Sequence, residues 1–170
     1  WARLRTLDPA RDWLELEDLK GFDVAGVRVH VKLDFMYREG PDAVIVDWKT
    51  GRSRTDNSFQ FGCYTLYAAG AFGLEPERVR GLEVNLATGV EKEHRFTRDD
   101  LAGVHDTIRA SIARMRELLR DQSLNLAVEQ DFPIRTAHWR CRSCNFFRVC
   151  PEGEPQERMM GRAVPAHAGA

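Results

Sequence analysis

The sequence predicts an α/β fold, and three observations predict it. Residues 27–37 and 43–48 alternate or run apolar in the manner of strands, with turn residues between them. A helical segment follows, then a second strand pair over residues 79–96 that leads into a long amphipathic helix. A composition of 43% hydrophobic and 30% charged residues over 170 positions suits one folded domain with a real core.

Each element has its own signal. Residues 13–19 alternate apolar and polar side chains, which predicts a half-buried strand ended by Gly21. In the next strand Val27, Val29, Val31, Leu33 and Phe35 share one face, and Arg28, His30, Lys32, Asp34 and Met36 share the other. The stretch 38–42 is a turn by composition, so residues 43–48 can return antiparallel beside that strand. The unbroken apolar run 43–46 predicts a central position covered on both faces. After a loop at 50–57, Asn57 or Ser58 is the expected N-cap of a helix to about Gly70, with Phe59, Cys63, Leu66 and Tyr67 as its apolar stripe.

Residues 79–86 and 91–96 read as a hairpin turned at Thr88-Gly89. Thr97 is placed to cap the last helix, whose stripe of Leu101, Val104, Ile108, Ile112, Met115, Leu118 and Leu119 predicts packing on a sheet. The chain starts at Trp1 rather than Met with no cap signal, and is read as N-terminally truncated. Residues 151–170 lack an apolar period and are expected to be a disordered tail.

Charge and hydropathy exclude several classes. With 25 Lys and Arg against 26 Asp and Glu, nucleic-acid contacts must come from a local patch. No apolar run approaches the ~20 residues that cross a bilayer, and no signal peptide opens the chain, which is read as soluble and cytoplasmic with no membrane partner. Cys141, Cys144 and Cys150 cluster in a way that suits a metal rather than disulfides in such a compartment, while Cys63 stands apart.

Asp34, Asp47 and Lys49 carry the chemistry. Phosphodiester cleavage needs a divalent cation held by a few hard oxygens with waters left in place. Asp34 and Asp47 can supply two carboxylates, and the backbone carbonyl of Trp48 a third oxygen. Lys49 shares a face with Asp47, where its ammonium can orient water or stabilise charge on phosphate. An Asp-x-Lys at a strand end is more often a solvated ion pair, and Gln60 and Tyr64 one helical turn apart are more often plain neighbours. The joint order of the pieces changes that balance.

Asp34, then Asp47-Trp48-Lys49-Thr50-Gly51, then Gln60-x-x-x-Tyr64 resembles the PD-(D/E)XK nuclease superfamily, specifically its RecB-like exonuclease branch, over residues 13–150. The resemblance implies a restriction-endonuclease-like α/β core, a mixed central sheet flanked by helices, spanning residues 1–150. It implies Mg²⁺- or Mn²⁺-dependent DNA cleavage with Asp34 and Asp47 as ligands, Lys49 as the catalytic lysine, and Gln60 and Tyr64 supporting the site. Cys141-x-x-Cys144 with Cys150 resembles the C-terminal cluster of iron-sulfur members of that branch, which implies a [4Fe-4S] cluster and a C-terminal cysteine metal-binding segment at 141–150. Zinc is the alternative, with His138 as a further ligand or with the fourth ligand absent. The fourth cysteine and the helical His or Glu ligand of that branch have no match upstream; Cys63 reads as a buried thiol, and Glu15 and Glu17 as solvent-facing.

Arg52 and Arg54 follow the Asp-x-Lys turn and are expected to meet DNA phosphates. Arg135, Arg140, Arg142 and Arg148 interleave with Trp139, Phe146 and Phe147, a mixture that suits single-stranded DNA as well as a small core around the metal. The expected activity is that of an exonuclease in recombination, repair or CRISPR-linked processing, with a helicase or CRISPR-associated subunit as partner. The alternative is a catalytically silent module of the same fold that binds DNA or a partner.

Overall fold

The computed structural model describes residues 4–51, 56–132 and 144–145. Two compact units divide the chain, residues 1–116 and 117–170. The first is built from α1 (Pro9–Asp12), β1 (Trp13–Leu16), β2 (Leu19–Val24), β3 (Val27–Lys32), β4 (Phe35–Glu39), β5 (Asp42–Lys49), α2 (Ser58–Phe72), β6 (Val79–Asn85), β7 (Glu91–His94) and nearly all of α3 (Arg98–Glu117).

A five-stranded mixed sheet runs in the order β1-β4-β5-β6-β7, with β5 and β6 parallel and the other pairs antiparallel. The parallel pair requires a crossover, and α2 supplies it. β5 is central, as its apolar run predicts: residues 43–47 are all buried. Gly40, at φ +62°, takes the first position of the two-residue β4-β5 turn, where a hairpin that follows the strand twist needs positive φ.

Successive side chains of β5 serve two cores. Ala43 and Ile45 join Val31, Leu33, Met36, Phe61, Tyr64, Tyr67, Ala68 and Val79 under α2. Val44 and Val46 join Phe35 and Tyr37 on the other face, with Leu4, Leu7, Trp48, Leu82 and Val84 packed around them.

Several expectations are corrected. The strand expected at 13–19 is two: β1 turns at Glu17, whose φ is +50°, and β2 passes through Gly21 without a break. Gly21 is retained there because a Cβ would lie 2.6 Å from the Val29 carbonyl oxygen. The long strand expected at 27–37 is interrupted between Lys32 and Phe35, so β3 pairs with β2 in a separate two-stranded sheet while β4 joins the large one. Leu33 and Phe35 therefore face opposite cores.

In α2 the buried face is Phe61, Gly62, Tyr64, Thr65, Tyr67 and Ala68, whereas Phe59 is exposed. Asn57 is its N-cap but makes no side-chain cap bond; Asp56 instead accepts from Ser58 N at 3.1 Å and Ser58 Oγ at 2.6 Å. Thr97 does cap α3: Thr97 N donates to Asp100 Oδ2 at 2.8 Å and Asp100 N donates to Thr97 Oγ1 at 3.2 Å. Leu101, Ile108 and Ile112 are buried on α3, and the latter two pack with Val24 and with residues of β2, β3 and α2 rather than on the large sheet. Met115 is exposed.

In the second unit Asp121 organises a turn, its Oδ1 accepting from Ser123 N and Leu124 N at 2.8 and 3.1 Å. Arg120 pairs with Asp131 at 3.1 Å. No helix of the described residues is long and apolar enough to cross a membrane. The tail expected at 151–170 lies outside the described residues.

Candidate active site

β5 carries Asp47 and Lys49 on the face it shares with Ala43 and Ile45, toward α2. Asp47 is buried, with 3% of its surface exposed, because the core continues up to it; Lys49 stands at the strand end and is partly exposed. Lys49 Nζ lies 2.6 Å from Asp47 Oδ2.

The first turn of α2 closes the group. Lys49 Nζ donates to Gln60 Oε1 at 3.1 Å, and Gln60 Nε2 donates to Asp47 Oδ1 at 3.3 Å and to Tyr64 Oη at 2.5 Å. Tyr64 Oη donates in turn to the Lys32 carbonyl at 2.9 Å and lies 3.5 Å from Asp47 Oδ1. The helical spacing of Gln60 and Tyr64 thus puts both polar ends over the carboxylate.

Asp34 arrives by a different route from the one the alternation predicts. The β4-β5 ladder ends at the Phe35 and Val46 pair, leaving the Trp48 amide with no strand partner. Asp34, at the break between β3 and β4, fills that place: its Oδ2 accepts from Trp48 N at 2.8 Å. In an extended strand a residue's N–H and C=O point to the same side. Lys49 O accepts from Leu86 N at 2.8 Å on the β6 side, so the Trp48 carbonyl is directed toward Asp34.

Burial pushes the Asp47 carboxyl above the usual carboxylate range. Lys49 pulls it back down, and the charges of Asp34 and Glu83 push it up further. Burial also pushes the Tyr64 hydroxyl up to about 12, so it remains a donor to the Lys32 carbonyl at any working pH.

Glu83 was not among the residues singled out from the sequence. It stands opposite Asp47 in the parallel β5-β6 register, and His94 Nε2 lies 3.2 Å from its Oε2. His94 is buried and stacks on Phe61 with ring centres 4.2 Å apart. The only sequence signal for Glu83 is an acid inside an apolar strand, and its neighbour is fixed by non-local pairing.

Glu15 is also corrected: its side chain is largely buried, accepts from the Tyr67 hydroxyl and pairs with Lys20 at 3.4 Å. Cys63 is half-buried between two core clusters, and burial pushes its thiol up. Cys144 is exposed. Arg52, Arg54, Arg135, His138, Arg140, Cys141, Arg142, Arg148 and Cys150 lie outside the described residues, as do Trp139, Phe146 and Phe147.

The oxygens present fit a hard divalent cation. Among the described residues no three or more His, Cys, Asp or Glu side chains form a metal-holding group. Two carboxylates and a carbonyl nevertheless match the sparse protein ligation of Mg²⁺, which keeps several waters. Asp47 Oδ2 is buried and, beside its ion pair with Lys49, has no hydrogen bond of regular geometry, so it retains acceptor capacity.

The model of the PD-(D/E)XK nuclease superfamily matches residues 1–151. The chain belongs to the PD-(D/E)XK nuclease superfamily. Its five-stranded mixed sheet with flanking helices is the core of that nuclease fold. Among solved structures the chain is similar to "Crystal structure of SSO0001", with 18% identity over 81% of this chain and a TM-score of 0.44. The match spans 59% of that structure's chain. No curated protein matches.

Proposed function

We propose that this PD-(D/E)XK domain is a Mg²⁺- or Mn²⁺-dependent DNA nuclease of the RecB-like exonuclease branch. The observation that carries the reading is the convergence of Asp47, Lys49 and Gln60 within 2.6 to 3.3 Å of one another beside Asp34. A solvated ion pair would not need a buried carboxylate and a glutamine to hold it.

Asp34, Asp47 and the Trp48 carbonyl would hold the cation, which when bound polarises the scissile phosphate and makes water a better nucleophile. Asp47 stays poised for this because Gln60 and Lys49 hold its two oxygens in place. Lys49, kept at the rim by Gln60, offers its ammonium to the attacking water or to the charge growing on phosphate. Tyr64 fixes Gln60 from behind by tying the helix to the Lys32 carbonyl. Arg52 and Arg54 would bind the phosphates that flank the cut.

Recombination, repair or CRISPR-linked processing, with a helicase or CRISPR-associated subunit as partner, is the setting this branch implies. Cys141, Cys144 and Cys150 would hold a [4Fe-4S] cluster, with zinc as the alternative; a brown chromophore and bound iron are expected, and a colourless zinc protein would contradict that part. The nuclease reading is tested with purified protein and linear DNA in Mg²⁺ or Mn²⁺. Asp47→Ala or Lys49→Ala is expected to lower cleavage by on the order of 10²–10³; unchanged cleavage in both would sink it.

A further inference from the structure

Trp48 and Phe35 connect the proposed site to a second feature on the opposite face of the sheet. A hollow of about 310 Å³ is lined there by Leu4, Arg5, Trp13, Leu16, Phe35 and Trp48. Phe35 and Trp48 stack, with ring centres 6.3 Å apart and planes at 12°, and Trp13 meets Phe35 edge-on at 5.3 Å and 81°. Trp13 and Leu16 keep 43% and 47% of their surface exposed.

The hollow and the site share their backbone. Trp48 lies between Asp47 and Lys49; its amide holds Asp34 while its ring lines the hollow. Phe35 is the residue after Asp34. The thickness of one strand therefore separates the aromatic rings from the oxygens proposed to hold the cation.

We propose that this hollow receives an unpaired base of the DNA strand being cut, stacked on the exposed Trp13, with Arg5 on an adjoining phosphate. The proposal rests on the nuclease reading and adds to it a base-stacking subsite on the opposite face of the sheet. Flat indole and phenyl faces suit a base, since every base has a π-face and stacking tolerates any sequence. The volume is at the lower end of small-ligand pockets, which suits one planar ring system better than the apolar face of a partner helix. Among the described lining residues Arg5 alone is charged, and it is a cation, complementary to phosphate. A base in duplex already has both faces covered, so the site selects a strand that is unpaired at this point.

The test uses the full chain in a Lys49→Ala background, which binds without cutting. Fluorescence anisotropy compares a labelled decathymidylate with an abasic phosphodiester of equal length and charge. Adding Trp13→Ala is expected to weaken the thymidylate by roughly 5- to 150-fold, the range that loss of one stacked base gives, and to leave the abasic strand unchanged. Trp13→Phe should restore part of the base-dependent difference, which a folding defect could not do, since that would weaken both probes together.

No base-dependent loss with Trp13→Ala, or equal loss on both probes without rescue by Trp13→Phe, overturns the proposal. A lowered thermal midpoint with no base dependence has the same meaning, since it assigns Trp13 to packing against Phe35 alone. The two readings fail separately. Wild-type protein that cuts DNA while Trp13→Ala is silent defeats only the hollow, and absent cutting with intact base-dependent binding defeats only the nuclease.

Discussion

Gln60 serves two partners of opposite need through one amide group. An ammonium only donates and a carboxylate only accepts, so Lys49 fixes the amide oxygen on its side and Asp47 fixes the nitrogen on the other. Gln60→Leu is expected to cut activity by roughly 10- to 100-fold with little change in stability, the usual cost of losing a group that orients an active-site residue. Steady-state rates with a thermal melt check this. Tyr64→Phe should instead show in the melt: it leaves the Lys32 carbonyl without its donor at a cost of roughly 1–3 kcal/mol.

Asp47 sets the pH behaviour. Its native carboxyl, raised by burial, binds a proton more tightly than the carboxyl of the unfolded chain, whose ordinary value is 3.8. Between that value and the raised one the native state carries more protons, so stability of the cation-free protein falls as pH rises through the window. Cation binding needs the ionised form, so activity should fall on acidification above the pH at which an exposed aspartate would lose it. Melts against pH in chelator should show the slope in wild type and a flatter curve in Asp47→Asn. An identical slope in both contradicts the assignment.

At the scale of elements, Phe61 locks α2 to the sheet. Its ring is fully buried, stacks on His94 and lies where a Cβ on Gly81 would approach to 2.4 Å. Gly81→Ala must displace that ring, at an expected cost of about 1–3 kcal/mol, and should lower activity because Phe61 is the neighbour of Gln60. Adding Phe61→Leu should recover part of the stability. Gly62 has a parallel role, since a Cβ there would come within 2.7 Å of Val104 and hold α3 away from α2.

The elements were unevenly legible in the sequence. β5 could be read because its apolar run and closing Asp-x-Lys are local features, and the α3 cap because Thr97 and Asp100 bond within one turn. The break at Leu33 and Asp34 was not legible: apolar alternation stays in phase across it, and no Gly or Pro marks it. The buried face of α2 was legible only in part, for the opposite reason: Cys63, Leu66 and Tyr67 do pack into the cores, but Phe59 is exposed and Phe61 takes its place. Phe59, Phe61, Tyr64, Leu66 and Tyr67 surround the helix with large apolar groups, so periodicity alone could not choose between Phe59 and Phe61.

For the whole molecule, the candidate site depends on pairings far apart in sequence. Asp34 reaches the Trp48 amide, beside Asp47, only because the β4-β5 ladder ends at Phe35 and Val46, two residues before Trp48, and Glu83 stands opposite Asp47 only through the parallel β5-β6 register. Neither follows from local pattern, whereas the acid, the lysine and the Gln60 to Tyr64 spacing do. A cation that binds the folded chain should stabilise it as a unit, by about 2.7 kcal/mol at a hundredfold excess over its dissociation constant. For a chain of this size that is roughly 2–4 °C in thermal midpoint per kcal/mol. Mn²⁺ should produce the shift in wild type, and Asp34→Asn or Asp47→Asn should reduce or remove it.

The most direct test of the account is single-turnover cleavage of linear DNA by wild type and Lys49→Ala, with the Mn²⁺-induced melting shift measured on the same samples. The account predicts that Lys49→Ala keeps the shift and loses cleavage by on the order of 10²–10³. Cleavage by Lys49→Ala at the wild-type rate, with the shift intact, would contradict it.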